Sequence, residues 1–323
     1  MSTPGPVILY GYQTSPYAHK IQNILTLKKI PYKRVNVANI LPRPELKELL
    51  GIPYRRIPVL AIGNDVYCDT NIIVPVLERR FPSSDGYDTL YPHRKGSISS
   101  DTGLIKVLSR FYTDRALFAD VVGLLDWKDI PEAMLKDRAE TLLEQQLSNG
   151  REWLLDTESP SMADMAIHSL IAWGKTLPDT EDVFSKDRFP LTIAASTLSF
   201  PSSILWADRL TNLLKQRWVE PTTITGEEAM ALINDSTNEL AEVVGFDELE
   251  AKRLGVKKGD RDDDFKLSMG LLLMTMNVGT KHITEGTLVG LSAEETVIEV
   301  RGQKGMNKCH FPRFGFTVKR LAQ

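Results

Sequence analysis

From Val7 to Arg80 the chain alternates short apolar runs with helical patterns, and no other stretch limits the possible folds as much. Val7-Ile-Leu-Tyr10 reads as a strand, Pro16 to Lys28 as a helix, Tyr32 to Val37 as a second strand and Pro44 to Leu49 as a short helix. Pro58 to Ile62 and Val66 to Cys68 are two further apolar runs. The Gly63-Asn64-Asp65 turn between them is a hairpin signal, and Thr70 to Arg80 reads as a closing helix. Strands separated by helices pair in parallel, whereas strands joined by a tight turn pair antiparallel.

The resulting order, β-α-β-α-β-β-α, is thioredoxin-like. A chain of 323 residues exceeds the usual single domain of about 100 to 200 residues, so more must follow. The break Phe81-Pro-Ser-Ser-Asp-Gly86 ends the first unit. From about Ser97 to Trp218 the periodicity is helical, punctuated by Pro131, Pro160, Pro178, Pro190 and Pro201, and implies an all-α domain. Within it Ser161-Met-Ala-Asp164 is a capping box. Thr225-Gly-Glu-Glu228 can cap a helix running to about Val244, and a second short helix covers Asp247 to Leu254. After residue 260 the pattern turns to short strands at 270–277, 287–291, 296–301, 308–311 and 316–319. These suggest an antiparallel meander or small barrel packed on the helical domain. The expected organisation is a thioredoxin-like domain at 1–85, an all-helical domain at 92–220 and a β-rich extension at 225–323.

Composition narrows the function classes. Hydrophobic content of 42% and charged content of 25% are those of an ordinary globular chain, and 39 basic against 42 acidic residues do not favour nucleic acid or an anionic membrane. A small-molecule partner is expected. Two cysteines, Cys68 and Cys309, support neither a disulfide framework nor a zinc site, and the five histidines have no metal spacing. The N-terminus lacks the charged and apolar regions of a signal peptide. The longest apolar stretch, Leu271 to Met276, is far short of the ~20 residues that span a bilayer. A cytoplasmic location is the expectation.

The first strand runs into Ser15-Pro16-Tyr17-Ala18. In a glutaredoxin this turn would read C-P-Y-C and place a thiolate over the amides of a helix N-terminus. With serine and alanine in place of both sulfurs, dithiol exchange is disfavoured, yet the turn can still hold and ionise a thiol brought by another molecule. Three more features follow in order: Arg56-Ile57-Pro58-Val59-Leu60, then Asp69-Thr70, then the Ser161 to Asp164 box. Together they resemble a cytosolic glutathione transferase over residues 7 to about 218, with a weaker match at Pro201, Ile204, Trp206 and Arg209. The segments L-P-R-P-E-L from Leu41, Y-R-R-I-P-V-L from Tyr54, V-Y-C-D-T from Val66 and H-F-P-R-F-G-F from His310 resemble a fungal-type group with a C-terminal extension.

That resemblance implies glutathione as co-substrate, a small-molecule electrophile as second substrate and a homodimer, with a tailoring step on a secondary metabolite as one setting. It implies a cis Ile57-Pro58 bond that presents the Ile57 backbone to the cysteinyl unit of glutathione. Asp69 and Thr70 would hold the γ-glutamyl end, the carboxylate taking the ammonium and the hydroxyl with helix amides taking the α-carboxylate. Arg56, or else Arg55, suits the glycyl carboxylate. Ser15 becomes the candidate activator of the thiol, with Tyr17 and Gln13 as its rivals and Tyr12 on the same turn.

Serine followed by proline is also how a helix begins, with Ser15 as N-cap and Pro16 at the first helical position. The two roles coexist, since a capping hydroxyl accepts a hydrogen bond and keeps its proton for a ligand. The segment Ser109 to Arg115 offers Phe111, Tyr112 and Arg115 as an electrophile-pocket lining, against the plainer reading of an amphipathic helix. Trp127 and Trp173 read as core, Cys68 as a buried strand residue and His19 as a helix-surface residue. Isomerisation through a reversible adduct and a non-catalytic binding or assembly protein are the alternative functions.

Overall fold

The computed structural model describes residues 5–117, 147, 149–176, 201–256, 265–268, 284–313 and 316–320. In chain order, the first elements are β1 (Val7–Gly11), α1 (Pro16–Leu27), β2 (Lys33–Asn36), a π-helical turn at Glu45–Leu49, β3 (Val59–Ile62), β4 (Asp65–Cys68) and α2 (Thr70–Arg80). The helical region contributes α3 (Thr102–Val107), which runs on as a π-helical segment at Leu108–Leu117, then α4 (Met162–Gly174) and α5 (Pro201–Arg217). The C-terminal region has β5 (Thr222–Thr223), α6 (Gly226–Asn234), α7 (Ala241–Val244) and α8 (Glu248–Leu254). It then has β6 (Phe265–Ser268), β7 (Thr284–Glu285), β8 (Thr287–Leu291), β9 (Glu295–Arg301), β10 (Met306–Pro312) and β11 (Thr317–Arg320). The thioredoxin-like N-terminal part, the helical region and a β-rich C-terminal part are all present. The helix expected from Thr225 to Val244 is two helices, and the strand expected at 270–277 lies outside the described residues.

Contacts divide the chain into two compact units. One holds residues 1–22, 30–82 and 220–323, and the other residues 23–29 and 83–219. In the first, β1 pairs in parallel with β2 and antiparallel with β3, and β3 pairs antiparallel with β4. The C-terminal strands then extend this sheet. β10 pairs in parallel with β4, and β9 and β8 follow antiparallel, while β5 covers the far edge beside β2. The full order is β5-β2-β1-β3-β4-β10-β9-β8. A second sheet has the order β11-β6-β7.

This arrangement corrects the expectation that the extension packs on the helical domain as its own meander or barrel. The three adjacent strands do form a meander, but its edge joins the backbone groups that β4 would otherwise leave unpaired. Ile298, Val300, Cys309 and Phe311 share one hydrophobic cluster with Ile8, Tyr10, Val59, Val66 and Cys68. At the β3–β4 turn, Gly63 has φ +62° and a Cβ there would sit 2.5 Å from the Thr237 carbonyl oxygen, so only glycine fits beneath the extension.

A buried ionic cluster fastens the join. Asp65 accepts from His310 Nε2 (3.3 Å), Asn238 Nδ2 (2.9 Å), Arg80 Nη1 (3.4 Å) and the Glu239 amide. His310 Nδ1 meets Glu295 Oε2 at 3.1 Å, and Arg79 bridges Glu295 (3.1 Å) and Glu239 (2.7 Å). Burial would raise the Asp65 and Glu295 carboxyls, but hydrogen bonds and charge from His310 hold both below their ordinary values. Burial likewise opposes the His310 charge, and the two carboxylates outweigh it, so the imidazole is raised.

In the second unit the Ser161–Asp164 capping box forms at the start of α4. The buried Asp164 carboxylate accepts from the Ser161 amide (2.9 Å) and hydroxyl (2.7 Å), the Leu154 amide (2.9 Å) and Trp206 Nε1 (2.8 Å). Two separate sequence matches, the box and Trp206, are thus one hydrogen-bonded unit. Trp173 is half-buried on α4, and Trp127 lies outside the described residues. Among the described residues no helix is long and apolar enough to cross a membrane, and no group of histidine, cysteine and acidic side chains could hold a metal.

Candidate functional site

Three segments meet at one end of the sheet. Tyr10 of β1 is opposite Val59 of β3, and Val59 is opposite Cys68 of β4. The turn after β1, the Ile57-Pro58 pair before β3 and the Asp69-Thr70 pair after β4 therefore emerge side by side. A Cβ at Gly11 would lie 2.9 Å from Ala18 Cβ and 3.5 Å from Ile57 Cγ2, so the Ser15 turn and Ile57 are in close approach.

Ser15 is buried and caps α1. Its hydroxyl accepts from the Ala18 amide at 3.2 Å, and its carbonyl accepts from the His19 amide at 3.0 Å. Its hydroxyl proton has no acceptor among the described residues. Tyr17 is half-buried on the first turn of α1 with the Lys20 ammonium 5.7 Å from its ring centre. Gln13 is exposed, and its carbonyl meets His19 Nε2 at 2.5 Å. Tyr12 lies under the Arg43 guanidinium at 5.5 Å.

The Ile57-Pro58 bond is cis, and pairing of β3 with its neighbours begins only at Val59. Arg55 and Arg56 are exposed. Buried Arg43 donates to the carbonyls of Ala38 (2.7 Å), Asn39 (3.0 Å) and Arg55, which ties the loop after β2 to the segment leading into Ile57.

Asp69 has φ 87° and ψ 141°, a left-handed-side conformation that costs a non-glycine residue about 1–3 kcal/mol. Its Oδ1 accepts from the Asn71 amide (2.9 Å) and Asn71 Nδ2 (3.0 Å), capping α2. Its Oδ2 accepts from the Tyr54 hydroxyl at 3.3 Å. Burial, and then the nearby Asp69 charge, raise the Tyr54 phenol well above its ordinary value, so it is a neutral donor. Thr70, the first residue of α2, is mostly buried, and its hydroxyl has no hydrogen bond among the described residues. Burial raises the thiols of Cys68 and Cys309, both free, which leaves neither as a thiolate nucleophile.

Phe111 is 48% exposed and Tyr112 half-buried on the π-helical segment of the second unit, while the Arg115 side chain lies outside the described residues. Sequence reasoning gave no role to Arg43 or Tyr54, although both stand inside quoted matching segments. The visible signal was an arginine between two prolines, and a tyrosine close before the Ile57-Pro58 pair.

Comparison with known proteins bears on this end of the sheet. Residues 9–85 match the glutathione S-transferase N-terminal domain. Residues 98–204 match a domain of unknown function, DUF7962. The chain is similar to the crystal structure of a GST-like protein from Pseudomonas syringae, with 26% identity and a TM-score of 0.74 over 98% of this chain and 100% of that one. The likeness to that bacterial GST-like protein thus runs through the C-terminal region. In fold it is also similar to a tau class glutathione S-transferase from mango, Mangifera indica, with 20% identity and a TM-score of 0.50 over 71% of this chain and 96% of that one. No curated protein matches the chain.

Proposed function

We propose that this protein is a glutathione transferase-like enzyme that binds glutathione at the joint end of β1, β3 and β4 and ionises its thiol for addition to a small electrophile. The observation that carries the reading is Asp69, held at a strained φ of 87° with a half-buried carboxylate beside an unengaged Thr70 hydroxyl at a helix start. An α-amino acid end suits that pair, its ammonium on Asp69 and its carboxylate on Thr70 and the α2 amides. The Ile57 backbone would take the cysteinyl unit, and exposed Arg56 the glycyl carboxylate.

Ser15 would donate its free proton to the sulfur while still accepting from the Ala18 amide. Making the thiol about a hundredfold more ionised needs about 2.7 kcal/mol of preference for the anion. A charge-assisted hydrogen bond contributes about 1.5–3 kcal/mol and a helix N-terminus about 0.3–1 kcal/mol, so the two together suffice. The sulfur then attacks the electrophile, forming a carbon–sulfur bond, and the displaced electron pair is protonated from solvent or leaves with its group.

Ultraviolet titration of protein-bound glutathione tests this. The thiolate is expected to form well below the ordinary thiol value of about 8.5. Ser15→Ala should move it back up and slow addition roughly ten- to several hundred-fold, with little change in affinity. If Ser15→Ala leaves both intact while Tyr17→Phe abolishes them, Tyr17 is the activating group. Binding with an unperturbed thiol would instead mark a non-catalytic glutathione-binding protein.

A further inference from the structure

The C-terminal extension touches the candidate site at Tyr54. We infer that Phe311 and Phe316 fix the Tyr54 ring so that its hydroxyl aims the Asp69 carboxylate at a ligand ammonium, making the extension a positioning part of the site. This rests on the reading of Asp69 as the ammonium contact given above.

The geometry is specific. Phe311 meets the Tyr54 ring edge-on, with centroids 6.1 Å apart and planes at 83°. Phe316 lies 6.0 Å from Tyr54 and 5.6 Å from Phe311, closing a triangle of rings. Register explains why Phe311 is there: in the parallel β4–β10 pairing Cys309 is opposite Val66 and His310 opposite Tyr67. One step on, Phe311 is level with Cys68, the residue before Asp69.

Tyr54 is nearly fully buried, and its hydroxyl, 3.3 Å from Asp69 Oδ2, has no other partner among the described residues. A buried phenol needs an acceptor, so the pairing is worth keeping only if the ring is held where it is. On Asp69 the two oxygens are unequal. Oδ1 is taken by Asn71, whereas Oδ2 has Tyr54 alone and retains capacity for a second donor. Asn71 holds the carboxylate at Oδ1 and the tyrosine holds it at Oδ2, so Tyr54 sets which way the remaining Oδ2 lone pair faces. Tyr54 touches the binding group rather than the ligand, and so is a positioning residue.

The test compares glutathione with its des-amino analogue, which lacks the α-ammonium, by calorimetric titration of the full-length protein. Wild-type protein should prefer glutathione. Tyr54→Phe should weaken glutathione binding by about five- to fiftyfold and leave analogue binding unchanged, so that the preference shrinks. Phe316→Leu, which keeps Tyr54 but loosens its packing, should shift the same ratio in the same direction by less. Equal weakening of both ligands by Tyr54→Phe, or an unchanged ratio, overturns the inference while the glutathione reading stands. Wild-type protein that binds neither ligand overturns the functional reading, and the inference with it.

Discussion

Strand β4 is bracketed by two aspartates, and the extension treats them in opposite ways. Asp65, at the start, is completely buried, and its carboxylate is surrounded by His310, Arg80, Asn238 and the Glu239 amide. Asp69, just after the end, is half-buried, strained, and bonded through the extension only indirectly, by way of Tyr54. A carboxylate whose lone pairs are all filled by protein donors is structural. One that keeps capacity on a half-open oxygen can serve a ligand. The same strand addition thus closes one end of β4 and organises the other.

The largest expected effect comes from removing the join. Truncation after Val256 deletes buried Leu288, Leu291, Val297, Ile298, Val300 and Phe311. At about 1.5–3 kcal/mol each this rivals the ~5–15 kcal/mol of a whole domain, so soluble folded protein should be lost. Size-exclusion chromatography that finds the truncated protein soluble and unaggregated, with unchanged melting, would mean that the extension is separable. Next in size is Asp65→Ala, which leaves His310, Arg80 and the Glu239 amide facing a vacated carboxylate. A loss of about 3–5 kcal/mol is expected by denaturant unfolding, and a loss below about 1 kcal/mol would mean that the cluster is not the fastening.

Acidity offers a smaller probe of the same end. His310 faces Asp65 and Glu295 directly, stacks on Tyr67 at 4.4 Å, and shares those carboxylates with Arg79 and Arg80, Glu239 completing the cluster. Its folded-state value is raised. Its contribution to stability is therefore complete below about pH 6.5 and is lost as pH rises through the folded value. Asp65 and Glu295 are lowered, so theirs holds above about pH 4.3 and is lost as pH falls through their folded values. Denaturant midpoints should decline on the alkaline side, and His310→Gln should flatten that decline. A slope that survives His310→Gln assigns the titration elsewhere.

A smaller effect on stability than that of Asp65→Ala is expected at Asp69. Asp69→Ala removes an N-cap worth about 1 kcal/mol and leaves the Tyr54 hydroxyl without its acceptor, at about 1–3 kcal/mol more, but it strands no buried charge. If it destabilised the fold as much as Asp65→Ala, the distinction between the two aspartates would fail.

What the sequence disclosed follows from locality. The caps at Ser15, Ser161 and Thr225, and the Gly63-Asn64-Asp65 turn, are decided within a few residues and were legible. The sheet join was not, because β10 finds β4 from more than two hundred residues away and period-two patterning says nothing about which edge a strand will choose. Asp65 reads as a turn residue and Glu295 carries no reading, yet each is buried because an oppositely charged partner comes from a distant element. At the site, Asp69-Thr70 and Ile57-Pro58 were visible as motifs. Tyr54 was not, since its importance lies in rings that arrive from the extension.

The central claim is that the open end of β4 holds glutathione through Asp69, and calorimetric titration of full-length protein with glutathione tests it most directly. Wild-type protein should show one saturable site per chain, weakened by about 2–4 kcal/mol in Asp69→Ala while the fold remains intact. No heat of binding in the wild type, or an unchanged affinity in Asp69→Ala, would contradict it.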